Sequence, residues 1–317
     1  MSESPCSLLG CGQDDERRLE MEDYESGLPR WCSGCGDHAV LGAVERLLVS
    51  EQLPRERTVF VSGIGCSGRF PHYVNTYGFH GIHGRALPIA TGVKLGRSDL
   101  NVFAVMGDGD CCSIGAGHWI HAIRYNVDMV ALLLDNNVYG LTKNQTSPTT
   151  PQGWKTNTQP EGSYLPPLNP LSATLGVTNA SFVAQSCDWV PGHLYQTLRA
   201  AQRHRGFSFV RVLQRCPVFT PAIFDSAARK PAETQLLVHE RGVRDPEVES
   251  IYTNQVLHDP SDLGQARRLA EESGVVRIGL FYCDPSLPQY DKTRHVPHRT
   301  TDEKLALLES ELDRYVA

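Results

Sequence analysis

No run of apolar residues approaches the roughly 20 needed to cross a bilayer, so no membrane span is expected. Basic residues are in deficit. The 30 Lys plus Arg face 36 Asp plus Glu, and a formal charge of -6 lacks the positive footprint that nucleic acids or anionic membranes select. The first 16 residues hold no Lys or Arg and end in Asp14-Asp15-Glu16, the opposite of a secretory leader, so a cytoplasmic protein is expected. No internal repeat or low-complexity tract is present. Cysteine, by contrast, is not scarce: there are ten in 317 residues. In a reducing compartment these read as thiols or metal ligands rather than disulfides.

The first informative spacing is Gly107-Asp108-Gly109, then 26 residues, then Asn136-Asn137. Strand-like apolar runs, Val102 to Met106 and Met129 to Leu134, lead into the two ends, with a helix-length crossover around Ala116 to Tyr125 between them. Asp108 and Asn136 are therefore expected at the tips of neighbouring parallel strands. A carboxylate and an amide carbonyl there are hard oxygen ligands suited to Mg²⁺, whose shell is completed by phosphate oxygens and water. The flanking glycines let main-chain N–H groups approach those phosphates. Gly-Asp-Gly alone is also ordinary turn chemistry. The Asn pair at this separation, followed by Val138-Tyr139-Gly140-Leu141-Thr142, argues against a mere turn.

Residues 1–30 are polar and read as an N-terminal extension. Asp37 is placed to cap a helix reaching Leu48, and Thr58 to Val61 reads as a buried strand ending at Ser62-Gly63-Ile64-Gly65-Cys66. A helix beginning near Arg85, a strand near Ala180 to Val183, a helix over 192–204 and a strand over 207–213 continue an alternating series. Alternation of this kind predicts an α/β fold, a mostly parallel sheet with helices on both faces. The Thr-, Pro- and Gly-rich segment 144–170 is too long for a simple connection and reads as a functional loop. Residues 31–220 then form the main domain. Residues 221–317 form a C-terminal extension with a strand over 275–282 and a helix opened by the Thr300/Glu303 capping box, its Leu305, Leu308 and Leu312 on one face for packing or subunit contact.

Cys32-Ser33-Gly34-Cys35 precedes a helix and fits a redox pair, half a zinc site or half an iron–sulfur site. Cys66 follows one strand and Cys216, with Pro217 behind it, follows another, so the fold brings four thiolates together. By count they suit zinc or a [4Fe-4S] cluster equally. Their position on the ligand-binding edge of the sheet, beside the Gly107-Asp108-Gly109 loop, favours a cluster that accepts electrons. Cys111, Cys112, Cys187 and Cys283 read as small buried hydrophobes, and Cys6 and Cys11 as free thiols.

The Gly-Asp-Gly and Asn-Asn pair resembles the diphosphate-binding motif of thiamine diphosphate enzymes. Together with Trp31 to Gly36, Gly63 to Ser67, Ile82 to Ala86, Asp135 to Thr142 and Cys216-Pro217, it resembles the beta subunit of 2-oxoacid:ferredoxin oxidoreductases, from about residue 30 to 220. Ser33 departs from the more usual Pro. The resemblance implies the diphosphate-domain fold and a set of cofactors: thiamine diphosphate, Mg²⁺, a [4Fe-4S] cluster and, as co-substrate, coenzyme A. It assigns Mg²⁺ to Asp108, Asn136 and the Val138 carbonyl. The diphosphate falls to Gly107, Gly109, Asp110, Gly140, Leu141 and Thr142, and the cofactor's cluster side to Ile64, Gly65, Cys66, Ser67 and His83. Cys32, Cys35, Cys66 and Cys216 would hold the cluster. His83 is the candidate proton shuttle. Lys143, with Arg69 and Arg85 as similar candidates, would attract a substrate carboxylate or a coenzyme A phosphate. The implied activity is oxidative decarboxylation of a 2-oxoacid, with 2-oxoglutarate preferred to pyruvate and ferredoxin receiving the electrons. Only one α/β unit is evident, so the resemblance implies an alpha subunit bearing the pyrimidine-binding half, in a dimer of alpha-beta units.

Overall fold

A computed structural model describes residues 17–272, 274–293 and 299–315; Cys6 and Cys11 lie outside them. Nine strands form one sheet: β1 (Thr58–Ser62), β2 (Tyr77–His80), β3 (Asn101–Gly107), β4 (Met129–Asp135), β5 (Phe182–Cys187), β6 (Phe207–Leu213), β7 (Thr234–Val238), β8 (Gln255–Leu257) and β9 (Val276–Cys283), in the order β2-β1-β3-β4-β6-β5-β9-β7-β8. Every pairing is parallel except β5 with β9. The central strands are apolar on both sides, as a sheet covered on both faces requires.

Alternation along those strands sorts side chains into two cores. Val59, Val61, Val102, Ala104, Met106, Ala131 and Leu133 face α2 (Ala86–Gly96), α3 (Ala116–Tyr125), α4 (Pro170–Gly176) and α6 (Leu263–Glu271). Phe60, Phe103, Val105, Val130, Leu132 and Leu134 face α1 (Asp37–Ser50) and α5 (Pro191–Arg203). On that second face the Phe60 and Phe103 rings stack with centroids 4.8 Å apart.

Three expectations shift. Asp37 is the first residue of α1 rather than its cap; Gly36 occupies the cap position and the Asp37 carboxyl turns into the interior. β5 starts and ends later than 180–183, because Gln185 and Ser186 are buried polar residues with partners in Arg277 and His193. The capping box opens α7 (Thr301–Asp313) as expected, yet Leu305, Leu308 and Leu312 are all more than half exposed. Cys111, Cys112 and Cys187 are buried as expected, and Cys283 is half-buried.

His193, fully buried against Ser186, is held down at about 4 by desolvation of its charged form. Between that value and the ordinary 6.5 the unfolded chain binds the proton and the folded chain does not. Stability from this group is therefore complete above about 6.5 and falls as pH drops toward about 4. Differential scanning calorimetry should show a shallower acid loss of Tm in H193Q than in the unaltered chain.

Candidate functional site

Four adjacent parallel strands, β1, β3, β4 and β6, end on one edge of the sheet and deliver four loops there. Gly107 pairs with Leu134 and Asp135 with Leu213, so the loops carrying Asp108, Asn136 and Cys216 emerge side by side. This is the edge at which open α/β sheets bind ligands.

A cavity of about 350 Å³ opens among these loops, within the size of small-molecule sites. It is lined by Ile64, Gly65, Cys66, Ser67, His83, Gly107, Asp108, Gly109, Asp110, Asn136, Val138, Gly140, Leu141 and Thr142, so the residues assigned to the coenzyme meet in one place. Lys143 is not among them. It stands with positive φ at the second cavity described below, and Arg85 lines neither.

Two buried aspartates order the coenzyme cavity. Asp110 Oδ1 accepts from the Gly84 main-chain N–H at 2.6 Å and from Ile64 N–H at 3.3 Å, and lies 2.6 Å from His83 Nδ1, stitching three loops together. Its Oδ2 is buried without a partner among the described residues. Burial raises the Asp110 pKa, opposed by these N–H groups and His83. A Cβ on Gly63 would fall 1.9 Å from Asp110 Oδ2, and one on Gly109 would fall 2.0 Å from the Tyr139 ring, so glycine is sterically required at both positions.

Asp108 Oδ2 accepts from Ser147 Oγ and, at 2.7 Å, from Thr149 Oγ1. Burial pushes the Asp108 carboxyl up, helped by the nearby Asp135 carboxylate. Asp135 is itself neutralised by Arg211 at 2.6 Å. Asn137 uses its side chain on Asp135 and the Thr149 carbonyl, which leaves Asn136 as the member of the pair that faces the cavity. Ser147, Thr149, Gln145 and Gln214 were not anticipated. The one sequence signal for Ser147 and Thr149 is the density of hydroxyl residues in the long loop after β4, where Ser147, Thr149 and Thr150 prove buried; Gln145 and Gln214 carry none.

Cys32, Cys35, Cys66 and Cys216 line a second cavity of about 240 Å³ together with Arg30, Arg69 and Lys143. Hydrogen bonds to main-chain carbonyls pin its three loops: the Trp31 side-chain Nε1–H donates to the Cys66 carbonyl at 2.8 Å and the Gly36 main-chain N–H to the Arg215 carbonyl at 3.1 Å. Burial pushes the Cys66 thiol up to about 12, with Asp37, Cys216 and Cys32 adding to it, and drives Cys35 higher still. Crowded thiolates of this kind are unfavourable without a cationic centre. Among the described residues no three His, Cys, Asp or Glu side chains converge tightly enough for a single ion. Zinc would draw sulfurs to about 2.3 Å of one point. The two cavities share Cys66, Asn136, Gly140 and Leu141 as a common wall.

Residues 63–212 match the family described as thiamine pyrophosphate enzyme, C-terminal TPP binding domain. A Sulfolobus protein named 2-oxoacid:ferredoxin oxidoreductase subunit beta is 34% identical over 83% of this chain and 84% of its own length. The chain belongs to the family of 2-oxoacid:ferredoxin oxidoreductase beta subunits. A Mycobacterium tuberculosis relative, 2-oxoglutarate oxidoreductase subunit KorB, is 48% identical over 67% of this chain, and that match spans 57% of the relative. Among solved structures, 2-oxoglutarate:ferredoxin oxidoreductase from Magnetococcus marinus, with 2-oxoglutarate, coenzyme A and succinyl-CoA bound, superimposes with a TM-score of 0.76 at 33% identity. It covers 95% of this chain and 93% of that one. As a beta subunit of this family the chain is part of an oxidoreductase, and its mostly parallel sheet is that of a thiamine diphosphate-binding fold.

Proposed function

We propose that this subunit carries out the CoA-dependent oxidative decarboxylation of a 2-oxoacid, 2-oxoglutarate to succinyl-CoA in preference to pyruvate, or its reverse, with ferredoxin as electron acceptor. The observation that carries this reading is the shared wall: a diphosphate-type cavity and a four-cysteine cavity adjoin through Cys66, Asn136, Gly140 and Leu141. The preference for 2-oxoglutarate draws on the names of the Mycobacterium and Magnetococcus relatives.

Asp108, Asn136 and the Val138 carbonyl would hold Mg²⁺, and Gly107, Gly109, Asp110, Gly140, Leu141 and Thr142 would surround the diphosphate. Cys32, Cys35, Cys66 and Cys216 would hold the [4Fe-4S] cluster. When bound, thiamine diphosphate supplies a carbon nucleophile and electron sink for the 2-oxo carbon, and the cluster accepts electrons singly. The chain's own residues fix where these groups sit. Ser147 and Thr149 orient the Asp108 carboxylate, and the Asp135–Arg211 pair anchors the strand tip beneath it. His83, about one-third exposed and fixed through Nδ1 by Asp110, presents its other nitrogen as a proton carrier at the cavity.

The mouth of the coenzyme cavity is apolar and uncovered. Ile64 and Leu141 of its lining are at least one-third exposed, as are Phe79, Ile82 and Ile114 on the segments between them in the chain, the mark of an interaction surface. The alpha subunit with the pyrimidine-binding half would cover this face. Residues 31–220 would be the coenzyme- and cluster-binding domain, with 221–317 an extension whose exposed leucine face on α7 meets a partner in a dimer of alpha-beta units. Arg30, Arg69 and Lys143 give the cysteine cavity a cationic rim for an acidic carrier such as ferredoxin or for coenzyme A phosphates.

The purified complex should reduce ferredoxin or viologen when given coenzyme A and 2-oxoglutarate, and more slowly with pyruvate. Failure with both substrates in a preparation that retains iron would overturn the activity.

A further inference from the structure

Gln214 follows β6, is 1% exposed and lines the coenzyme cavity. Its Nε2 lies 2.7 Å from the Arg215 carbonyl oxygen and 3.2 Å from Cys35 Sγ. A carbonyl can only accept, so the first contact fixes which end of the amide is the NH₂ group. Both hydrogens are then used, one on Arg215 and one on the sulfur. The amide Oε1 is left buried with no partner among the described residues. A glutamine kept only for packing would satisfy both ends, and a buried orphan acceptor calls for another reason. The reason offered here lies with the sulfur. Besides Gln214, Cys35 is met by the Asp37 main-chain N–H and by the acidic groups of Asp37, Cys66 and Cys216, so the Gln214 amide is the side-chain donor at this sulfur.

We propose that Gln214 is a positioning residue for electron transfer: its amide N–H···S hydrogen bond to Cys35 raises the reduction potential of the cluster held by the four cysteines. The inference rests on the cluster reading above. A donor aimed at a ligand sulfur stabilises the added electron of the reduced cluster more than the oxidised form, and hydrogen bonds to sulfur are among the groups that set such potentials. From the lining of the coenzyme cavity, Gln214 would act on the cluster through Cys35, which lines the cysteine cavity.

The test is an EPR-monitored redox titration of the anaerobically purified, assembled complex carrying the natural residue, Q214L or Q214E, with iron measured in each. Q214L keeps the bulk and removes the donor. Its midpoint potential should move to more negative values, with the reduced-to-oxidised ratio at fixed potential falling about tenfold, equivalent to about 59 mV for a one-electron couple. Q214E, which replaces the donor by a carboxylate, should shift further in the same direction. An iron-loaded variant with an unchanged potential overturns the proposal while leaving the cluster reading intact. An iron-free natural complex overturns both. Should neither variant load iron, the natural complex prepared with amide-¹⁵N glutamine decides: a ¹⁵N hyperfine coupling to the reduced cluster is expected, and its absence overturns the proposal.

Discussion

C216A is expected to strip the assembled complex of its iron and of 2-oxoacid-dependent ferredoxin reduction, while leaving the subunit folded. Cys216 is buried at the cavity wall just beyond β6. Removing its sulfur deletes one of the four proposed ligands and opens only a small void. The strand ahead of it is held by its ladder to β4 and β5 and by the Arg211–Asp135 pair. The remaining thiols gain nothing from staying ionised, because burial already pushes Cys66 and Cys35 up without a cationic centre. Bound thiamine diphosphate should be retained, since Cys216 lies outside the coenzyme cavity. C66S should differ in a telling way. Cys66 lines both cavities, so that variant should lose iron and also weaken the coenzyme site. Iron analysis and visible absorbance of the two variants check this. Wild-type iron content in C216A would exclude Cys216 as a ligand.

D108N should weaken Mg²⁺-dependent binding of thiamine diphosphate by more than about 100-fold, since loss of even an outer partner of a metal ligand costs about 10- to 100-fold. The same change should not destabilise the chain without coenzyme. Asp108 is buried, and its carboxyl is pushed up by that burial and by the Asp135 carboxylate beside it. Replacing the charge by a neutral amide removes a repulsion and leaves an oxygen that can still accept from Ser147 and Thr149. Isothermal titration with the coenzyme and Mg²⁺, paired with a melting curve of the coenzyme-free complex, separates the two effects. A fall in both together would mean that Asp108 serves the fold rather than the metal.

Much of this site was legible because its chemistry sits at strand ends. A buried parallel strand announces itself as an apolar run, and the residue after the run must fall at the sheet edge. Asp108, Asn136, Cys66 and Cys216 could thus be placed from the runs that precede them. The other residues depended on pairings that no local pattern encodes. Ser147 and Thr149 reach Asp108 from about 40 positions along the chain, inside a loop without regular structure. Gln214 meets a sulfur only because Cys35, 179 positions away, folds against it.

The fold's weaker signals were lost for similar reasons. β2 is a four-residue exposed edge strand and β8 has three residues, both too short to show a period. The strand reading over 180–183 stops short of the polar end of β5 because the partners of Gln185 and Ser186, Arg277 and His193, lie on other elements. Asp37 had the local signature of a cap. It is buried instead, with its carboxyl against Cys35.

A coenzyme and a cluster held in the two adjoining cavities would exchange electrons across the wall they share. Rapid-freeze EPR tests this exchange most directly, on the anaerobic complex mixed with 2-oxoglutarate and coenzyme A in the absence of ferredoxin. The expected result is the signal of a reduced [4Fe-4S] cluster appearing on the timescale of turnover. A complex that carries both iron and thiamine diphosphate, consumes the 2-oxoacid and leaves the cluster oxidised would contradict it.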